Sequence, residues 1–131
     1  MTSINIEQID DWLFETKIGN YPLKIDVPAE MGGKDRALTP PQIFLASIAS
    51  CTAAFLVKYC KTAAIDTTGL KVTLEFDKVE NPVRLTNFKI KIDLPNAPEE
   101  KKKAILKAAG YCPVHESIKN FQGIEFSLNG D

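Results

Sequence analysis

The feature that most constrains the fold of this 131-residue chain is an uncharged apolar segment, residues 37–57. Thr39, Pro40 and Gln42 mark a helix start there, as an N-cap, a first-turn proline and the partner of a capping box. We predict a helix from this start to about Ala64. Apolar side chains surround the helix, so every side of it needs cover. One sheet on one face cannot supply that cover, and the sequence therefore predicts a homodimer with a large interface.

The same segment is long enough to cross a membrane, but its composition favours a buried core helix. Its strongly apolar part covers only residues 43–57, and Ser47, Ser50 and Thr52 interrupt it. The N-terminus has neither the basic region nor the long apolar run of a signal peptide. We therefore expect a cytoplasmic protein without a membrane partner. The net charge of −1 also gives no electrostatic reason to expect a nucleic-acid partner.

Alternating apolar side chains predict strands on both sides of the central helix. Residues 12–18 and 21–27 alternate around a tight turn, which is typical of a hairpin. Residues 70–76 and 88–94 form a second pair, with a bulge expected near Thr86-Asn87 because the apolar phase changes there. Each pair predicts two antiparallel strands.

The rest of the chain has the sequence features of two further helices and one strand. Asn96 is expected to cap a second helix that ends at Gly110, and Cys112-Pro113 to open a short third one through about Phe121. Residues 124–128 alternate again and predict a last strand. The predicted order βββαββααβ is an α+β layered domain. No repeat or linker interrupts it, so we expect a single domain over residues 1–131.

The three cysteines suggest free thiols or a redox pair, because a reducing compartment does not favour a disulfide scaffold. Cys51 lies among serines and threonines in the apolar helix, where a thiol either fills core space or performs chemistry. Cys60 follows nine residues later. At about 100° per residue the two side chains leave the helix on opposite faces, so Cys60 is expected to be a packing residue.

Cys112 lies in the stretch "GYCPVHES", at the expected N-terminus of the third helix. Free N–H groups and the helix dipole favour a thiolate there, although a plain N-cap role explains the residue as well. A Cys₃His zinc site is formally available, but Cys51 and Cys60 diverge around their helix, so no metal is expected. His115 is interpreted as a first-turn residue that contacts a partner subunit or a substrate.

Two motifs together resemble a known family. The stretch "LTPPQIFLASIASCTAAF" (residues 38–55), followed by "YCPVHESI" (residues 111–118), resembles the OsmC/Ohr family. The resemblance implies an OsmC-like two-layer fold, with an antiparallel sheet and a long central helix, in an intertwined homodimer that reduces organic hydroperoxides. It implies a peroxidatic Cys51 and a resolving Cys112 at the subunit interface. It also implies no cofactor beyond an external dithiol reductant.

The chain departs from the family pattern at the activating groups. The family's peroxidases have a glutamate near the start of the central helix and an arginine in the N-terminal hairpin. Here Pro41 and Gln42 stand at the glutamate position, and the hairpin has no arginine. Cys51 lies about 18 Å along the helix from its start, beyond the reach of the helix dipole. We therefore expect activation by Arg36, or by another cation such as Lys34, with Gln42 and His115 as pocket candidates.

Three functions are compatible with these residues. The first is a thiol-dependent peroxidase of organic hydroperoxides. The second is a non-catalytic dimeric protein that binds a small apolar ligand on the same fold. The third is another thiol activity, such as transfer of a persulfide or an acyl group. The resemblance in both motifs puts the peroxidase first, and the missing glutamate and arginine are the feature that favours the second and third hypotheses.

Overall fold

The computed structural model describes residues 2–130 and divides the chain into two compact units, one up to Ala46 and one from Ser47. It has the predicted α+β character, with antiparallel strands and three α-helices. Helix α1 (Pro40–Thr62) begins in the first unit and continues into the second.

The first unit contains a three-stranded antiparallel sheet. Its strands β1 (Glu7–Asp10), β2 (Leu13–Ile18) and β3 (Tyr21–Ile25) lie side by side in chain order. The tight turn between β2 and β3 contains Gly19, whose φ of 61° lies in the left-handed region that glycine adopts at little cost. The hairpin predicted from the alternation is confirmed.

The start of α1 is the predicted capping box. The backbone N–H of Thr39 donates to the side-chain oxygen of Gln42 at 2.9 Å, and the N–H of Gln42 donates back to Oγ1 of Thr39 at 3.4 Å. At the other end the helix stops at Thr62, two residues before the predicted end. Ala64 has a φ of 56°, and the N–H of Ile65 donates to the carbonyl of Cys60 at 2.8 Å, which closes a Schellman-type cap.

Helix α1 is buried along one stripe only. The buried residues are Ile48, Thr52, Leu56 and Cys60, each four residues after the last. The remaining faces are half-buried or exposed, and Phe44 is 41% exposed. By length and composition alone α1 could also cross a membrane, a test that the core helices of soluble proteins pass too. The single chain thus leaves apolar faces of α1 without full cover, and the homodimer stays a prediction.

The second unit contains a long antiparallel hairpin. Strands β4 (Lys71–Val79) and β5 (Arg84–Asp93) pair along their length, with a register shift between Glu75 and Asp77. Their partners across the ladder are Lys89 and Thr86, so β5 contributes the extra residue. Asn87 in that interval has a φ of 58°. The bulge predicted near Thr86-Asn87 is confirmed.

The core of the second unit lies around the C-terminal half of α1. Leu56 and Cys60 pack with Ile65 and with Ile105 of helix α2 (Lys102–Ala109). Partly buried apolar residues from the hairpin and the loops surround this cluster: Tyr59, Ala63, Leu70, Val72, Ile92, Leu94, Ala97 and Ala109. Cys60 is therefore a packing residue, as predicted, and burial raises the pKa of its thiol.

The second helix begins later than expected. A 3₁₀ turn, Glu99–Lys101, leads into α2, and Pro98 rather than Asn96 occupies the cap position of that turn. The prediction for Asn96 was wrong because its side chain has another partner: its amide donates to the carboxylate of Asp66 at 3.3 Å. The helix ends before Gly110, as predicted.

The last part of the chain contains the largest disagreement with the sequence prediction. Helix α3 (Pro113–Lys119) opens after Cys112 as expected, but the strand predicted over residues 124–128 is absent from the described structure. Ile124, Phe126 and Leu128 are 68%, 90% and 75% exposed. Alternation supplies one apolar face, but a strand also needs a neighbouring strand for its backbone hydrogen bonds. Within residues 2–130 this segment pairs with none.

Candidate active site

Cys51 lies in the middle of α1, on the side of the helix next to the buried stripe. Its side chain is half-buried, whereas the next residue, Thr52, is 2% exposed. Helical spacing places Ser47 one turn before Cys51 and Phe55 one turn after it on the same face. The thiol is thus held by a rigid helix and remains partly open to solvent.

Cys112 lies at the N-cap of α3. Its backbone is extended, with φ −64° and ψ 127°, and Pro113 occupies the first helical position. Its sulfur accepts a hydrogen bond from the backbone N–H of His115 at 3.5 Å, so the N-cap interpretation is confirmed. The side chain is fully buried.

The fold brings these two thiols together. Cys51 and Cys112 are both free, and their side chains are close enough for Cys51 to raise the pKa of the Cys112 thiol. Sixty residues separate them in the sequence, and α1 and α3 supply one each. Contact between two free thiols is the arrangement from which a sulfenic acid on one can form a disulfide with the other.

The electrostatics at Cys112 differ from the sequence-based expectation. A thiolate was expected there, but burial and the contact with Cys51 raise the pKa of the Cys112 thiol. The N–H groups of His115 and Val114 act in the opposite direction and do not outweigh the burial. The expectation was wrong because it considered how the N–H groups of the helix N-terminus stabilise a thiolate but not how burial of the Cys112 side chain disfavours one. Cys112 therefore keeps its proton at neutral pH.

Arg36, the expected activating cation, is engaged within the first unit. Its Nε donates to Oδ2 of Asp26 at 2.8 Å, and its Nη1 and Nη2 donate to Oδ2 of Asp10 at 2.9 Å and to the Asp10 carbonyl at 3.1 Å. The Asp26 side chain is fully buried and also accepts from the N–H of Val27 at 2.7 Å. The hydrogen bond from Arg36 is the main reason that the pKa of Asp26 falls to about 2. A role of Arg36 in thiol activation stays a prediction.

Asp26 is a site residue that was not predicted from the sequence. The available signal was a carboxylate at the end of the alternating apolar residues of β3, just before a glycine-containing loop. A buried carboxylate needs a cationic partner, and Arg36 is the first arginine in the sequence. These two facts together indicate an Asp26–Arg36 pair from the sequence.

Gln42 and His115 have structural contacts of their own. The amide oxygen of Gln42 takes part in the capping box of α1. His115 contacts the site through its backbone N–H, while the residue as a whole is exposed. Among residues 2–130, no three histidine, cysteine or acidic side chains gather in a way that could hold a metal ion. The roles of Gln42 and His115 in a pocket stay predictions.

The fold is shared with solved structures of one family. An osmotic stress induced and detoxification response protein from Psychrobacter arcticus superposes with a TM-score of 0.77 at 22% identity, over 89% of this chain and 88% of that one. An organic hydroperoxide resistance protein OsmC from Legionella pneumophila gives 0.67 at 20% identity, over 92% and 91%. The corresponding resistance protein from Elizabethkingia anophelis gives 0.66 at 21%, over 92% and 91%.

The sequence itself also matches a family, although no curated protein matches it significantly. Residues 32–127 match the family described as OsmC-like protein. The matched range contains α1, both strands of the second unit and the two short helices, and therefore both thiols of the site. The chain belongs to the OsmC-like protein family.

Proposed function

We propose that this protein is a thiol-dependent peroxidase that reduces organic hydroperoxides, with Cys51 as the attacking thiol and Cys112 as the resolving one. The observation that carries the proposal is the proximity of two free thiols of unequal exposure, one on α1 and one at the N-cap of α3. Cys51 is the partly open member of the pair, so a bulky hydroperoxide reaches it first.

In the first step the Cys51 thiolate attacks the terminal oxygen of the hydroperoxide. The O–O bond breaks, Cys51 becomes a sulfenic acid, and the alkoxide takes a proton and leaves as an alcohol. Because the raised pKa of Cys112 keeps that thiol protonated beforehand, it can supply this proton. The transfer leaves Cys112 as a thiolate beside the new sulfenic acid.

In the second step the Cys112 thiolate attacks the sulfur of the sulfenic acid. An S–S bond forms and hydroxide leaves, so the peroxide has taken two electrons from the thiol pair. An external dithiol then reduces the disulfide. Since Cys112 is fully buried, the incoming thiolate attacks the Cys51 sulfur, and Cys112 leaves towards the N–H groups of His115 and Val114.

Family membership supports the general function. The relatives from Legionella pneumophila and Elizabethkingia anophelis are named organic hydroperoxide resistance proteins. This supports a role in peroxide resistance at the level of the family. The specific chemistry at Cys51 is our proposal from the geometry.

We also propose that the active form is a homodimer. Supporting observations are the incompletely covered faces of α1, including Phe44 at 41% exposure, and the exposed alternating side chains of residues 124–128. A second copy of the chain could cover the exposed faces of α1 and offer a strand partner to residues 124–128. Sedimentation at low micromolar concentration should show a dimer, and a stable, folded monomer there would contradict this.

The decisive experiment is stopped-flow mixing with cumene hydroperoxide or hydrogen peroxide, with thiols counted after denaturation. The wild type should lose two thiols per chain, faster with the organic peroxide. Cys51→Ser should lose none at a rate above that of free cysteine. Cys112→Ser should consume one equivalent and accumulate a dimedone-reactive sulfenic acid on Cys51.

Cys60→Ser is the matched control, because Cys60 lies on the same helix in the core and should not change the peroxide reaction. Dimedone on Cys112 instead of Cys51 would reverse the assigned roles. If neither thiol reacts faster than free cysteine, the peroxidase proposal fails. A binding function then takes its place, for which the second unit also offers an apolar groove.

A further inference from the structure

A groove between α1 and α2 in the second unit has no role in the proposed peroxidase reaction. It has a volume of about 440 Å³, within the range of small-molecule sites. Its walls are mostly apolar, formed by Phe55 and Tyr59 of α1, Ala104 of α2 and Tyr111 after α2. A surface of this kind buries a hydrocarbon chain favourably. We call it the Lys58–Lys107 groove after the two charged residues that line it.

Both charged residues of the groove are cationic. Lys58 on α1 and Lys107 on α2 line it, and no acidic side chain does. In the part of the chain that the structure describes, neither lysine takes part in a salt bridge. The Nζ of Lys58 lies 5.6 Å from the centroid of the Phe55 ring, which holds its ammonium group close to the apolar wall. The groove thus combines an apolar floor with two ammonium groups that lack a counter-charge.

This combination selects a class of ligand. A neutral apolar molecule would remove water from the two ammonium groups and offer them nothing in return, which costs free energy. A fully polar anion would leave the aromatic walls exposed to water. An amphipathic anion satisfies both parts, since its chain covers the walls and its charge faces the lysines.

We propose that the Lys58–Lys107 groove binds an amphipathic monocarboxylate, a free fatty acid of medium length. Its carboxylate lies between the two ammonium groups, and its hydrocarbon chain lies along Phe55, Tyr59 and Tyr111. This site does not depend on the proposed peroxidase function, because it needs no thiol and no peroxide. It assigns the chain a second small-molecule site of defined chemistry.

Isothermal titration calorimetry of the intact protein with decanoate tests the proposal. Decanoate should bind with one site per chain, and nonyltrimethylammonium, which has the same nine-carbon alkyl chain and the opposite charge, should bind far more weakly. Lys58→Met and Lys107→Met keep most of the aliphatic stem and remove the charge. Each should weaken decanoate binding by about fivefold, the effect of losing one partly exposed ion pair.

Each helix offers a matched control variant. Lys61→Met on α1 and Lys103→Met on α2 remove the same charge from exposed positions outside the groove, and both should leave decanoate binding unchanged. Ala104→Phe should fill the groove and abolish binding while circular dichroism stays that of the wild type. Absence of decanoate binding up to about 1 mM would overturn the proposal. Equal losses in the groove and control variants would do the same, because attraction would then come from net charge alone.

Discussion

Truncation of Leu56 to alanine should be among the most costly single changes in the second unit. Leu56 is fully buried on α1 and packs with Cys60, Ile65 and Ile105. The change removes three carbon atoms, a loss of about 2.4 kcal/mol at about 0.8 kcal/mol each. The cavity that remains adds to this, so we expect a total loss of about 3–4 kcal/mol in the free energy of unfolding. For a chain of this length the melting temperature should fall by about 12 °C.

Leu106→Ala is the matched control for this change. Leu106 lies on α2 next to Ile105 in the sequence but is 56% exposed, so its truncation should cost at most about 1 kcal/mol. Urea unfolding followed by circular dichroism measures both variants, at one fixed protein concentration because a dimer would make stability concentration-dependent. A loss for Leu56→Ala no larger than that for Leu106→Ala would refute the assignment of this core.

Three further predictions concern the first unit and the core cysteine, one of them with a control variant at Gly110. Because hydrogen bonding from Arg36 lowers the pKa of Asp26 from 3.8 to about 2, the stability contributed by this carboxylate should be complete above about pH 5 and lost as the pH falls towards 2. In Asp26→Asn the urea midpoint of unfolding should depend less on pH across that window. A pH dependence equal to that of the wild type would contradict the pairing of Asp26 with Arg36. Gly33→Ala should destabilise by more than about 2 kcal/mol, because the added carbon would overlap a backbone carbonyl and the Asp26 carboxylate. Gly110→Ala, which meets only ordinary contact, should change the free energy of unfolding by less than about 1 kcal/mol, and equal effects of the two glycine variants would argue against the tight loop. Cys60→Ala should cost about 1 kcal/mol and leave the rate of peroxide-dependent thiol loss unchanged, whereas a slower reaction would give Cys60 a chemical role.

The parts of the fold that the sequence predicted correctly depend on neighbouring residues. The capping box of α1 needs only Thr39 and Gln42, three residues apart, and both hydrogen bonds are present. The bulge on β5 follows from a change of apolar phase over a few residues around Asn87. Signals of this kind can be read from a short stretch, since all the groups that make the feature are inside it.

The parts that could not be predicted depend on groups far away in the sequence. The missing last strand needed a partner strand that residues 124–128 do not specify. The raised pKa of Cys112 results from burial and from the sulfur of Cys51, neither of which the sequence around Cys112 reveals. The nine-residue spacing along α1 correctly predicted that Cys60 packs in the core away from Cys51. Only the resemblance to a family indicated Cys51 and Cys112 as a pair. The fold then supplied the physical contact.

The unequal burial of the three cysteines determines what a thiol reagent reports on the folded protein. Cys51 is half-buried, whereas Cys60 and Cys112 are fully buried. A colorimetric reagent added to native protein therefore counts a single thiol, and formation of a Cys51–Cys112 disulfide would change that count from one to zero although two thiols are consumed. A cysteine-alkylating probe applied to cell lysates would likewise detect Cys51 and overlook Cys112. Redox stoichiometry for this protein has to be measured after unfolding, where the same oxidation lowers the count from three to one.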